Sequence, residues 1–323
     1  MVKRVQRHEY NCHRRGAFGA AISSVMAKGG HKITLYSPTN FKQLSATRIS
    51  KKLSETELHK EINITNLLEN TKDCKSVFLA IPTQNLAQFC EKNIAFLKEK
   101  QLIACCKGID RATGKRPSEI LSEYSSQVAV MSGPSFAIDI FNDMPTALVL
   151  ASTDASFLRQ LQKEISMQNF RLYRTSDVLG VELGGALKNI IAIACGIAIG
   201  AKQGDSAKAA LMARGFSEMI KFAKAHGAKE KTLSGLSGLG DLSLTCNSIK
   251  SRNFLFGVAL GSGKFFDKNA TVEGVPTAFA VSQKAQALGI EMPITSSICA
   301  LLKGSVSTEE IIRSLLSRPT KEE

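Results

Sequence analysis

Residues 14–36 run Arg14-Arg15-Gly16-Ala17-Phe18-Gly19, then Ala20 to Lys28, the pair Gly29-Gly30, and Lys32-Ile33-Thr34-Leu35-Tyr36. Gly16 and Gly19 stand where a tight turn enters a helix, and Ala20 to Ala27 carries the apolar spacing of that helix. Gly29-Gly30 closes it, and the apolar run ending at Ser37-Pro38 is a short strand. A glycine-rich turn, a helix and a strand form the opening unit of a dinucleotide-binding fold. In that unit the glycines bring backbone amides to a pyrophosphate at the helix N-terminus.

The pattern continues outward. Strand-like segments recur at Ile62–Thr65, Ser76–Ile81, Leu102–Cys106, Val128–Ser132 and Thr146–Ala151. Helical stretches lie between them, at Asn66–Asn70 and Leu86–Leu97. Such alternation predicts a parallel sheet with crossover connections. From Leu183 onward helical periodicity takes over, running to Ala225 with a Gly-rich break from Ser234 to Asp241. Further helices are expected at 274–287, 294–302 and 308–316, the last opened by a Ser307/Glu310 capping box. The expected architecture is an α/β Rossmann-like dinucleotide-binding domain over residues 1–180, followed by an all-α substrate and catalytic domain over 181–323.

Composition narrows the function classes. The net charge of +14 is spread along the chain and mixed with acids, which argues against a nucleic-acid partner and suits anionic small molecules. No apolar run reaches the roughly 18 residues of a bilayer span, and Ile190–Ile199 reads as a buried helix, so no stable membrane insertion is expected. The basic start lacks an apolar signal core. The eight cysteines form no C-x-x-C pair and sit mostly in apolar segments, as reduced thiols of a cytoplasmic protein do. Cys12 and His13 lack partners at ligand spacing, so no metal site is expected.

The chemistry concentrates in the second half. Gly184-Gly185-Ala186-Leu187-Lys188-Asn189 opens a long apolar helix. Small residues before Lys188 admit a ligand, and apolar turns after it desolvate the ammonium, which lowers its pKa toward a range useful for proton transfer. None of the five histidines sits in a motif that would compete for this role. Ser251-Arg252-Asn253 offers a hydroxyl, a guanidinium fork and an amide, a set able to hold phosphate, although an isolated S-R-N is often a solvated turn. Gly238-Leu239-Gly240-Asp241 places a carboxylate after flexible backbone, where it orients a hydroxyl or a lysine, or caps a helix. Lys107-Gly108 and Gly133-Pro134-Ser135-Phe136-Ala137 each follow a strand's C-terminal end, where open α/β sheets bind ligands.

Taken in order, K-G at 107, G-P-S-F-A at 133, G-G-A-L-K-N at 184, G-L-G-D-L at 238, S-R-N at 251 and V-E-G at 272 resemble the bacterial NAD(P)-dependent glycerol-3-phosphate dehydrogenases. The resemblance runs from about Gly16 to the last helix. It implies reversible reduction of dihydroxyacetone phosphate to sn-glycerol 3-phosphate, feeding phospholipid synthesis, with NAD or NADP as cofactor. It puts the catalytic lysine on Lys188. Substrate-binding positions fall on Lys107, Gly133, Ser135, Lys188, Asp241, Ser251, Arg252 and Asn253, with Arg252 at the phosphate. Cofactor positions fall on Gly16, Ala17, Phe18 and Gly19, and on Lys107, Ala137, Arg252 and Glu273. A homodimer is compatible with it. Ser37-Pro38-Thr39-Asn40, after the second strand, carries neither an acid nor an arginine, so NAD and NADP both stay open.

One stretch departs. The first glycine position of G-x-G-x-x-G holds Arg14, and His8–Arg15 is polar and basic where an apolar strand belongs. Reverse-translated and read one base further on, His8–Arg15 permits M-S-I-T-V-I-G-A. Rejoined at Gly16, this gives a start codon, an apolar strand and a complete glycine fingerprint. Residues 1–15 are therefore read as out-of-frame translation. Two alternatives accompany the main reading: a chain of weak or no activity because its nucleotide loop is damaged, and a related lysine-based hydroxy-acid dehydrogenase.

Overall fold

The computed structural model describes residues 9–14, 16–53, 55–267 and 270–316. The side chains of residues 11–14, with Cys12, His13 and Arg14 among them, lie outside the described set. Contacts divide the chain into two units, and not by a single cut. The first comprises residues 1–106 and 117–178; the second comprises 107–116 and 179–323.

The first unit is an eight-stranded sheet: β1 (Glu9–Arg14), β2 (Lys32–Tyr36), β3 (Asn63–Thr65), β4 (Ser76–Ala80), β5 (Gln101–Ala104), β6 (Val128–Ser132), β7 (Thr146–Ala151) and β8 (Phe170–Thr175). Its spatial order is β8-β7-β6-β5-β4-β1-β2-β3. Strands β1 to β6 pair in parallel, as alternation predicts, but β7 runs antiparallel to β6 and carries β8 with it. The connection from β6 to β7, residues 133–145, is shorter than residues 105–127, which carry the chain from β5 to its parallel neighbour β6. Val77, Phe78 and Leu79 of β4 and Leu102, Ile103 and Ala104 of β5 are all buried, the pattern of strands covered on both faces.

The polar start still forms a strand. β1 is hydrogen-bonded between β2 and β4, and a ladder on both sides fixes extended backbone whatever the side chains. Tyr10 supplies its core residue. The ring is 1% exposed and sits edge-on to His31 and Phe78, and its hydroxyl donates to Glu164 Oε2 at 2.8 Å. Burial and Glu164 together raise its pKa.

The second unit is helical: α2 (Val178–Gly200), α3 (Gly204–Ala225), α4 (Asp241–Cys246), α5 (Arg252–Ser262), α6 (Gly274–Ala287), α7 (Pro293–Leu302) and α8 (Thr308–Leu316), with α1 (Ala17–Lys28) belonging to the sheet unit. The periodic run from Leu183 to Ala225 is broken in two where Lys202 and Gly204 take positive φ. The Gly-rich break resolves into a π-helical turn, Leu236–Gly240, leading directly into α4. At α8 the capping box is in place: Ser307 N donates to Glu310 Oε2 at 2.7 Å and Glu310 N to Ser307 Oγ at 3.2 Å. Ile190, Ile193, Phe222, Leu233, Val281 and Ile298 belong to the core these helices share.

Helix α2 is longer than the apolar run Ile190–Ile199 suggested. Its 23 residues are apolar enough to cross a bilayer by length and composition, but its most apolar stretch is 89% buried inside the structure. Its side chains share one core with residues of α3, α5 and α6, Leu211, Phe254 and Ala278 among them.

Candidate active site

In the sheet unit the strand order reverses beside β1: β2 and β3 lie on one side, β4 and β5 on the other. Ligands of open α/β sheets bind at such a switch point, outside the strands' carboxyl ends. Here α1 begins, with Gly16 as its N-cap, no side chain capping it and no acid in its first turn. A helix end with no side-chain cap and no first-turn acid fits the pyrophosphate of a dinucleotide. Gly16, Ala17 and Phe18 are half-buried and Gly19 is buried. Helix α1 packs on the helix that begins at Ala137, which brings Ala137 to the same side. Gly133, at the end of β6, has φ of +140° and lies 3.2 Å from Leu148 at its Cβ position, so only glycine suits it. Ser135 Oγ donates back to Gly133 O at 3.1 Å.

In the helical unit Lys188 is 6% exposed on α2. Two features bring Asp241 to it. Gly184 has no side chain, and a Cβ there would stand 2.5 Å from Ser237 O, so the Ser237–Gly238 backbone lies directly on α2. The turn Leu236–Gly240 then delivers Asp241 as the first residue of α4. Lys188 Nζ donates to Asp241 Oδ1 at 2.5 Å and to Thr245 Oγ1 at 2.8 Å. The other carboxylate oxygen, Oδ2, accepts from Lys107 Nζ at 2.7 Å. Asp241 is 1% exposed and serves two ammonium groups rather than helix amides.

This arrangement sets the lysine's acidity. Burial pushes the Lys188 ammonium down from 10.5 to about 8; the Lys107 charge acts in the same direction, and Asp241 opposes both. An amine poised there exchanges a proton near neutral pH.

Asparagines fix the surrounding backbone. Asn189 Nδ2 donates to Lys107 O at 3.0 Å, Asn253 Nδ2 donates to Asn189 Oδ1 at 2.9 Å, and Gly274 N donates to Asn253 Oδ1 at 2.9 Å. Asn253 thus ties α2, α5 and the start of α6 together. Ser251 is the N-cap of α5, its Oγ accepting from Phe254 N at 3.2 Å. Between them Arg252 is exposed as a residue, yet partial desolvation of its guanidinium lowers its pKa, and the Glu273 charge opposes that. Lys107, Lys188, Asp241, Ser251, Arg252, Asn253 and Glu273 therefore all belong to the helical unit. Gly16, Ala17, Phe18, Gly19, Gly133, Ser135 and Ala137 belong to the sheet unit. Thr245 and Asn189 were not singled out as site residues by the sequence reading. Thr245 follows Asp241 by four residues, the spacing that puts two side chains on one helix face. No group of three or more metal-ligating side chains occurs among the described residues.

A Rossmann-type sheet unit joined to a helical unit with a buried, acid-held lysine defines a nicotinamide-dependent dehydrogenase. Family models for the N-terminus and the C-terminus of NAD-dependent glycerol-3-phosphate dehydrogenase match residues 15–158 and 177–313. The chain belongs to that family. It is 46% identical to the glycerol-3-phosphate dehydrogenase [NAD(P)+] of Roseobacter denitrificans over 95% of this chain and 98% of that one. It is 47% identical to the protein of the same name from Paracoccus denitrificans, over the same shares. Among solved structures, glycerol-3-phosphate dehydrogenase from Coxiella burnetii superposes with a TM-score of 0.91 at 31% identity, covering 97% of this chain and 99% of that one.

Proposed function

We propose that the chain catalyses the reversible NAD(P)H-dependent reduction of dihydroxyacetone phosphate to sn-glycerol 3-phosphate, as a cytoplasmic enzyme of phospholipid synthesis. The observation that carries this reading is Lys188, buried and held by Asp241 with a lowered pKa, in a chain of this family. When bound, the nicotinamide supplies the hydride to the C2 carbonyl carbon. Gly16, Ala17, Phe18 and Gly19 would hold its pyrophosphate through backbone amides, with Ala137 on the same side of the sheet unit.

Lys188 donates its proton to the carbonyl oxygen as the carbon is reduced, and takes the hydroxyl proton in the reverse direction. Asp241 keeps the ammonium aimed and stabilised. Lys107, at the other oxygen of that carboxylate, adds positive charge where the oxygen becomes negative. Arg252 binds the phosphate by its guanidinium fork. Ser251 and Asn253 hold Arg252 between a helix cap and an anchored amide.

The test is NAD(P)H oxidation with dihydroxyacetone phosphate set against simple 2-keto acids. Turnover confined to the phosphorylated ketone is expected. A preference for the keto acids would overturn the assignment in favour of a hydroxy-acid dehydrogenase.

A further inference from the structure

Residues 107–116 lie in sequence between β5 and the helix Pro117–Leu121, both of the sheet unit, yet they belong to the helical unit. Besides the bond from Asn189 to Lys107 O, several attachments hold this strap. Lys107 reaches Asp241. Ile109, 1% exposed, is part of the helical core. The Arg111 guanidinium stands 4.5 Å from the centre of the Phe279 ring on α6. At the far end Arg116 Nη1 meets Glu182 Oε2 on α2 at 2.6 Å, with the side chains 18% and 2% exposed. Between the ends the strap is braced by its own bonds. Thr113 N and Oγ1 both donate to Asp110 Oδ1, at 2.8 and 2.7 Å, and Asp110 N donates to Lys115 O at 3.0 Å.

A braced loop pinned at both ends transmits position from one end to the other. We infer that the Arg116–Glu182 ion pair is a positioning device for the reaction, holding the strap on α2 so that Lys107 stays at the Asp241 carboxylate. Arg116 and Glu182 are positioning residues and touch neither substrate nor cofactor. The inference rests on the proposed roles of Lys107 and Lys188. A carboxylate 2% exposed is costly to bury unless its partner has a fixed place, and here that place sits on the segment carrying Lys107.

The groups facing Lys188 are Asp241 and Cys246 from α4 and Lys107 from the strap, with the Thr245 hydroxyl beside them. Lys107 is the one that depresses Lys188 and is also mobile if the strap loosens. Removing the Glu182 charge therefore has two opposed effects. Its direct effect, loss of a negative charge about 9 Å along the helix from Lys188, is to push the lysine further down. Its effect through the strap, withdrawal of Lys107, is to let the lysine rise.

The experiment measures the pH profile of kcat/KM for ketone reduction in Glu182→Gln, Lys107→Ala and the double variant Arg116→Met/Glu182→Leu. The double variant removes both charges and keeps apolar packing, which is often neutral for stability, so it serves if Glu182→Gln does not fold. The inference expects kcat/KM to fall about 10–100-fold, as misplacement by an ångström does. It also expects the basic limb to move to higher pH in both strap variants, and amide exchange to rise across residues 107–116. A limb that stays put or moves down in the strap variants overturns it, provided Lys107→Ala is impaired. If Lys107→Ala itself behaves as wild type, the proposed roles of the site lysines fail, and the strap loses its purpose with them.

Discussion

Thr245 accepts a hydrogen bond from Lys188 at 2.8 Å because its own hydroxyl hydrogen is donated to the Asp241 carbonyl at 2.6 Å. The threonine is thereby fixed as an acceptor, and an acceptor favours the ammonium over the amine. Thr245→Val should keep the volume and lose the bond. Lys188 then titrates at lower pH, and the basic limb of ketone reduction moves down, while Thr245→Ser keeps the limb in place. Equal pH profiles for Val and Ser would remove Thr245 from the proton-transfer machinery.

Lys188 sets the pH dependence in both directions. Reduction needs the ammonium, so its rate should fall as pH rises through about 8; oxidation needs the amine, so its rate should rise there. Lys188→Ala should lower turnover by roughly 10²–10⁴-fold, the contribution of positioned proton transfer, with an unchanged circular dichroism spectrum. Stability follows the same titration. The folded value lies below the unfolded 10.5, so the unfolded chain binds more protons between about 8 and 10.5, and stability contributed by this group rises with pH across that window. In Lys188→Met this rise should be absent from urea midpoints measured between those values.

Arg252 is exposed between two anchored neighbours, which suits a group that must reach a mobile anion. Arg252→Ala should chiefly raise KM for dihydroxyacetone phosphate. Loss of a charged hydrogen bond costs about 1.5–3 kcal/mol, or roughly 10–100-fold in affinity. An unchanged KM would place the phosphate elsewhere.

Gly184 is where the fold and the chemistry meet. A methyl group added there would stand 2.5 Å from Ser237 O, closer than any real Cβ contact, so the turn that delivers Asp241 must move. Gly184→Ala should cost about 1–3 kcal/mol in denaturant unfolding, the usual range for overpacking. It should also lower kcat more than it raises KM. Loss of stability with kcat intact would show that Asp241 keeps its place without this contact.

The sequence disclosed the parts of the site that are written locally. G-x-x-G before α1, the small residues before Lys188 and the glycines before Asp241 each announce a backbone event within a few residues. What it did not disclose depends on residues far apart in the chain. Lys107 and Asp241 are 134 residues apart and Arg116 and Glu182 are 66, and no local pattern pairs them. Ser251 and Asn253 read as ligand groups, yet the structure also uses them to cap α5 and to join it to α2 and α6. The antiparallel β7 was hidden for a related reason. Alternation marks the elements but not the direction of each pair, and the chain passes through a five-residue helix both before the parallel β6 and before the antiparallel β7.

The first strand offers a test of a different kind. β1 forms between β2 and β4, and Tyr10 fills the core, so the sheet tolerates the polar sequence Glu9–Arg14. The glycine turn is another matter, because Arg14 holds the position where the backbone must approach the pyrophosphate. The family match itself begins at residue 15, after this stretch. Replacing residues 8–15 by M-S-I-T-V-I-G-A should leave the helical unit unchanged and strengthen NADH or NADPH binding. Restoring one amide-to-phosphate bond is worth about 1.5–3 kcal/mol, so fluorescence titration should give a Kd lower by roughly 10–100-fold. Equal, tight binding by both chains would mean that Gly16 and the N-terminus of α1 suffice to hold the cofactor, and that the basic stretch before them is harmless.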